Sequence, residues 1–204
     1  MSVVKKTSAE IFSCNALQQI PQLLTLQDRN PHSPTYGCFD RNFWQYRVVD
    51  FPTGMAQEFV YPLALAYSTK LPDNPYFGDQ VLCEWITAGI NFAEKSSHSD
   101  GSCDDFYPYE RAAGAAAFSL LGCLEAYHLL QLKDAKLEKF FARRGRWLAE
   151  HPESGKLSNH EALIVYCLYL LSQRFEGSGL AHDYRERLDC LLSWQPKEGW
   201  FVEY

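Results

Sequence analysis

From residue 53 to the end of the chain, two kinds of helical pattern alternate. Residues 53–69, 109–132 and 158–174 are apolar or small on nearly every side, whereas residues 77–95, 135–150 and 180–194 carry charge along one face. A helix that is apolar all round must be covered on several sides, while a striped helix serves as an outer wall. The pattern therefore predicts inner helices paired with outer ones, separated by Leu71-Pro72-Asp73-Asn74-Pro75, by residues 96–102 and by the turn at 152–155. No segment sustains the period-two alternation of a half-buried strand, so the expected class is all-α. Ahead of this alternation, residues 8–27 read as a helix with Ile11, Phe12, Leu17, Ile20, Leu23 and Leu24 on one face, bent or split at Pro21. Residues 28–53 break the pattern with Asn30-Pro31, Ser33-Pro34, Tyr36-Gly37 and an aromatic run from Phe39 to Arg47. Irregular connections of that length are more often functional than decorative.

The inner helices repeat. Gln57-Glu58-Phe59, Tyr109-Glu110-Arg111 and His160-Glu161-Ala162 recur about fifty residues apart, and Asp100-Gly101, Glu153-Ser154-Gly155 and Glu198-Gly199 mark the turns. Helix hairpins of this period cannot bury their faces alone and stack on their neighbours. Residues 1–204 are expected to form a single helical-hairpin domain. Its last outer helix is followed by no inner one, so either the chain is the N-terminal part of a longer array or a second copy covers the open end.

Composition narrows the function classes. Hydrophobic residues make up 47% of the 204 positions and aromatics 15%, enough for a real core. The net charge of -6 and a pI near 5.5 offer no electrostatic footprint for nucleic acid or an anionic membrane. The N-terminal residues lack the apolar stretch of a secretory signal, and no apolar run reaches bilayer-spanning length, so the expected address is cytoplasmic. The seven cysteines are odd in number and include no Cys-x-x-Cys pair. They read as reduced thiols serving as small hydrophobes; neither a metal site nor a cofactor is expected.

Candidate chemistry gathers at the inner-helix starts. Asp100-Gly101-Ser102-Cys103-Asp104-Asp105-Phe106-Tyr107-Pro108-Tyr109-Glu110-Arg111 packs acids, tyrosines and an arginine into a dozen residues. Asp104 or Asp105 serves either as a helix cap or as a ligand contact. Ser158-Asn159-His160-Glu161 repeats the ambiguity: a capping group, or a histidine placed for general acid–base work. Glu58, Glu110 and Glu161 are expected at equivalent positions on one rim, and carboxylates beside aromatic faces suit sugars. Tyr36, Asp40, Arg41, Trp44, Tyr46 and Arg47 of the irregular loop either cover that rim or pack as an apolar lid. Arg41 or Arg47 would suit a carboxylate or phosphate on a ligand.

The inner–outer alternation, with Tyr36-Gly37-Cys38-Phe39-Asp40-Arg41, Asp100-Gly101-Ser102 and Asn159-His160, resembles the (α/α) toroids. The nearest likeness is to the helical domains of heparinase-II/III-like polysaccharide lyases and six-hairpin glycosidases, over roughly residues 36–204. The resemblance implies an incomplete toroid or helical array. In the lyases an Asn neutralises the substrate uronate while His and Tyr move protons, which places Asn159, His160 and Tyr107 or Tyr109 in those roles. Glu110 joins them as a candidate catalytic acid, and Arg41, Trp44, Arg47, Asp104, Asp105, Arg111 and Glu161 are the candidate substrate contacts. The leading expectation is an enzyme, or part of one, that cleaves an acidic oligo- or polysaccharide by β-elimination or hydrolysis. A non-catalytic module binding a glycan or a subunit is the second, and a toroid akin to isoprenoid cyclases the third.

Overall fold

A computed structural model describes residues 8–153, 155–175 and 179–201, with backbone alone for 8–11. All regular structure among the described residues is helical: α1 (Ser8–Leu26), α2 (Arg41–Trp44), a 3₁₀ turn (Met55–Phe59), α3 (Val60–Ser68), α4 (Gln80–Lys95), α5 (Ala113–Leu129), α6 (Ala135–Glu150), α7 (Ser158–Arg174) and α8 (Ala181–Ser193). The apolar helices α3, α5 and α7 pack side by side with α5 in the middle. Behind them α6 touches α4, α5, α7 and α8, so the charged helices form a second layer. No described helix is long and apolar enough to cross a membrane.

Local chemistry explains the boundaries. Asp79 and Asp134 take extended backbone and accept hydrogen bonds from the first free N–H groups of α4 and α6. The first outer helix therefore starts at Gln80 rather than at residue 77. The middle inner helix starts at Ala113, not at 109, because Tyr109 and Arg111 sit in left-handed backbone at φ 63° and 54°. The expected helix at 53–69 divides into the 3₁₀ turn and α3, and α1 runs unbroken through Pro21. Between α1 and α2 the chain is tied down: Asp28 donates its N–H to the Cys38 carbonyl and accepts from Gly37, both at 2.8 Å. Gly37 lies against α4 so closely that a Cβ there would stand 2.1 Å from the Ala88 carbonyl oxygen.

The core is centred on α5. Ala116, Ala117, Leu120 and Cys123 are completely buried, as are Phe140, Phe141 and Leu148 from α6 and Ile164, Cys167, Leu168 and Leu171 from α7. Small residues let the helices close in, as at Gly122, where a Cβ would come within 2.8 Å of the Glu58 Cα. The inner layer is not covered throughout: Leu65 of α3 and Tyr166 and Tyr169 of α7 remain exposed. Among the buried groups is a whole cation, Arg144, 1% exposed. Its Nε donates to the Gly101 carbonyl, Nη1 to the Ser119 hydroxyl and Nη2 to the Ser97 hydroxyl, at 2.7, 2.6 and 2.7 Å.

Cys14, Cys38, Cys83, Cys103, Cys123, Cys167 and Cys190 are all free thiols. Burial raises the thiol pKa of Cys38 and of Cys123 to about 12, and raises those of Cys103 and Cys167 as well. Since the thiolate is the reactive form, the native protein treated with iodoacetamide at pH 8 should label at Cys190 and leave these four unmodified until it unfolds. Mass mapping before and after denaturation checks this, and rapid native labelling of Cys123 or Cys167 would contradict it.

Candidate functional site

A cleft of about 670 Å³ opens where the N-terminal end of α5 meets the turn between α6 and α7. Its walls include Asp105, Phe106, Glu110 and Arg111 from one side and Trp147, His151, Glu153 and His160 from the other, with Ala113, Gly114 and Ala115 between. Loop residues thus face a rigid helix start, an arrangement suited to chemistry.

His160 stands in the first turn of α7, a quarter exposed, with Nδ1 2.8 Å from Glu153 Oε1. A carboxylate at that nitrogen calls for a proton on Nδ1, which leaves Nε2 as the lone-pair nitrogen. Nε2 has no partner among the described residues. Phe118 meets the ring edge-on, with centroids 6.0 Å apart at 90°. The neighbouring Asn159 side chain is exposed. Beside this pair His151 stacks on Trp147 at 4.7 Å, its Nδ1 2.7 Å from the Trp147 carbonyl.

The opposite wall is a short, self-tied loop. Glu110 Oε2 accepts from the backbone N–H groups of Asp105, Phe106 and Tyr107 at 3.2, 2.8 and 3.2 Å. Asp105 accepts from the Thr53 hydroxyl, and Arg111 pairs with Asp100. Phe106, Tyr107 and Tyr109 project outward, 78%, 70% and 81% exposed. Behind the loop Asp104 is buried and accepts from His98 Nε2 at 2.9 Å, from Tyr109 N at 2.8 Å and from Arg111 N at 3.0 Å. Those bonds hold two bulky residues in left-handed backbone, a conformation that persists only where its surroundings over-determine it.

Burial alone would raise the Asp104 pKa, but His98 and the two backbone N–H groups outweigh it and hold the carboxyl below the usual carboxylate range. A carboxyl depressed in the folded state contributes stability that is present above its unfolded pKa of about 3.9 and lost as pH falls through the folded value. The amide protons of Tyr109 and Arg111 should therefore keep their exchange protection down to about pH 4 and lose it below. Protection that vanished at about pH 6 would exclude Asp104 as the anchor.

The other residues anticipated at the site lie apart. Glu161 is 3% exposed and faces α8, where Arg187 Nη2 meets its Oε2 at 2.6 Å. Burial raises its pKa, Arg187 opposes that rise, and Glu153 adds to it. Glu58 lies against Gly122, midway along α5, and burial raises its pKa. The three glutamates consequently occupy three environments rather than one rim. Arg41, Trp44 and Arg47 do not line the cleft. Trp44 donates its indole N–H to the last carbonyl of α1 at 2.8 Å, and Arg41 lies 5.0 Å over the Tyr46 ring. Arg47 is exposed at φ 54°.

Sequence reasoning named Glu153 only as part of a turn and gave no role to His98 or Gly114. Glu153 stands in a polar turn like any other, and only folding brings it onto His160. A larger hollow of about 930 Å³ lies at the other end of α5. Its Tyr127 hydroxyl is engaged with Glu138 Oε1 and the Asp134 N–H, both at 2.8 Å, which ties α5 to α6. Among the described residues no cluster of three or more His, Cys, Asp or Glu side chains is arranged to hold a metal ion. In comparisons with known proteins, no family model, curated protein or solved structure matches the chain.

Proposed function

We propose that this chain is a carbohydrate-active helical toroid, or the N-terminal part of one, that cleaves an acidic oligo- or polysaccharide with His160 moving the proton. The observation that carries this reading is the His160–Glu153 pair in the cleft, with one imidazole nitrogen tied and the other free. In β-elimination the base removes the proton α to the uronate carboxylate, the glycosidic bond breaks at the β carbon, and an acid protonates the departing oxygen. His160 Nε2 takes the first role. The second falls to the Tyr107 or Tyr109 hydroxyl, which points outward from the bordering loop and must turn in over the cleft to reach the departing oxygen.

Charge sharpens the substrate question. Asp105, Glu110 and Glu153 share the cleft with Arg111. A uronate would have to take the place of Asp100 on Arg111, with the exposed Asn159 amide next to His160 as a further donor outside the cleft lining, while the exposed faces of Phe106, Tyr107 and Tyr109 offer platforms for sugar rings. The direct experiment incubates the full chain with uronate-containing and neutral polymers and follows near-ultraviolet absorbance and new reducing ends. Rising absorbance on a uronate polymer supports β-elimination, and reducing ends without absorbance support hydrolysis. Neither signal on any polymer overturns the enzymatic reading.

A second reading is a non-catalytic module that binds a glycan or another subunit. The exposed Leu65, Tyr166 and Tyr169 on the inner layer favour it. It predicts saturable binding without turnover, weakened by loss of the exposed aromatics.

A further inference from the structure

Gly114 interrupts a run of small residues, Ala113-Gly114-Ala115-Ala116-Ala117, at the start of α5, where alanine is the better helix former. Its backbone is helical and needs no special φ, so conformational freedom does not explain it. Space does. A Cβ at Gly114 would stand 2.6 Å from Cε1, 2.7 Å from Nδ1 and 3.2 Å from Nε2 of His160. The imidazole thus lies directly on the α5 backbone, with Phe118 at its edge and Glu153 on Nδ1.

We propose that Gly114 is a positioning residue: the seat left by its missing side chain holds the His160 ring on Glu153 with Nδ1 protonated and Nε2 bare toward the cleft. The atom that must yield to a methyl group is the ring and not a backbone, so a larger residue displaces the imidazole while α5 persists. The importance of the seat for catalysis rests on His160 being the proton-transfer group, but its existence does not.

The test uses the full chain and reads the imidazole itself. Long-range proton–nitrogen correlation of His160 at a pH where the ring is neutral should show the Nδ1–H tautomer in the native protein. Gly114→Ala should shift the population toward the Nε2–H form that a free imidazole prefers, and Glu153→Ala should produce the same shift without touching α5. A thermal-unfolding cycle guards against simple misfolding. Gly114→Ala should raise the unfolding midpoint in a His160→Ala background, where the ring is gone, and fail to raise it in the native background. An unchanged tautomer in Gly114→Ala, or the same effect of the substitution on stability in both backgrounds, overturns the proposal. If no polymer is turned over while the tautomer shift and the cycle hold, the seat stands and the enzymatic reading falls.

Discussion

His160→Ala should lower turnover of a responsive polymer by about 10²–10⁴-fold, the usual contribution of a positioned acid–base group. The loss should fall on kcat, because the exposed aromatics that would hold the sugar rings are untouched. Glu153→Gln is the informative companion. Its amide keeps an oxygen that accepts from Nδ1–H but lacks the charge that stabilises an imidazolium, so it should cost less than the alanine at His160 and still act on kcat. Tyr107→Phe and Tyr109→Phe then separate the two candidate acids. A His160→Ala protein with wild-type kcat would remove the proton-transfer role, whatever the binding data show.

The helical architecture was legible because burial imposes a period on sequence. Residues 113–129 and 158–174 carry apolar residues on nearly every turn, and both form helices, the first at the middle of the core and the second packed against it. What a pattern of residue types does not encode is which side chain a loop spends on itself. Glu110, Asp104 and Glu161 look alike as acids beside a helix start. One closes a loop on three N–H groups, one is buried under two strained residues, and one is paired with Arg187 on the far side of α7. Helix capping was an available explanation for the acids at 104 and 105, but neither caps α5: Asp104 accepts from His98 and from the N–H groups of Tyr109 and Arg111, and Asp105 accepts from the Thr53 hydroxyl. His160 was legible as a polar side chain at the start of an apolar helix. Its partner was not, since the pairing depends on how the turn before α7 folds back. Gly114 carried a faint signal, a glycine in an alanine-rich helix, that only the packing explains.

The second large effect concerns the buried cation. Arg144→Ala should lower stability by about 3–5 kcal/mol, combining a void in a packed core with acceptors stripped of their donor. For a domain of this size that is a fall of roughly 6–20 °C in Tm. Three elements lose their common tie: Ser97 after the end of α4, Gly101 in the following turn and Ser119 on α5. Both serine hydroxyls donate to helix carbonyls, to Ala93 and to Ala115, so each depends on the guanidinium to fill its acceptor side. Arg144→Lys should recover little, because a single ammonium cannot reach three acceptors in the guanidinium's fork geometry. Gly101 makes the junction tighter still: at φ 94°, a Cβ there would lie 2.7 Å from the Arg144 backbone nitrogen. The consequence extends past stability. Residues 98 and 100 belong to the turn that Arg144 grips, and they supply the His98 and Asp100 side chains that hold Asp104 and Arg111. A milder variant that still folds, Ser97→Ala, should therefore speed amide exchange at Tyr109 and Arg111 while leaving the α6–α7 side of the cleft as it was. If that variant leaves both amides fully protected, the loop wall is held by its own bonds alone, and the buried arginine serves only the core.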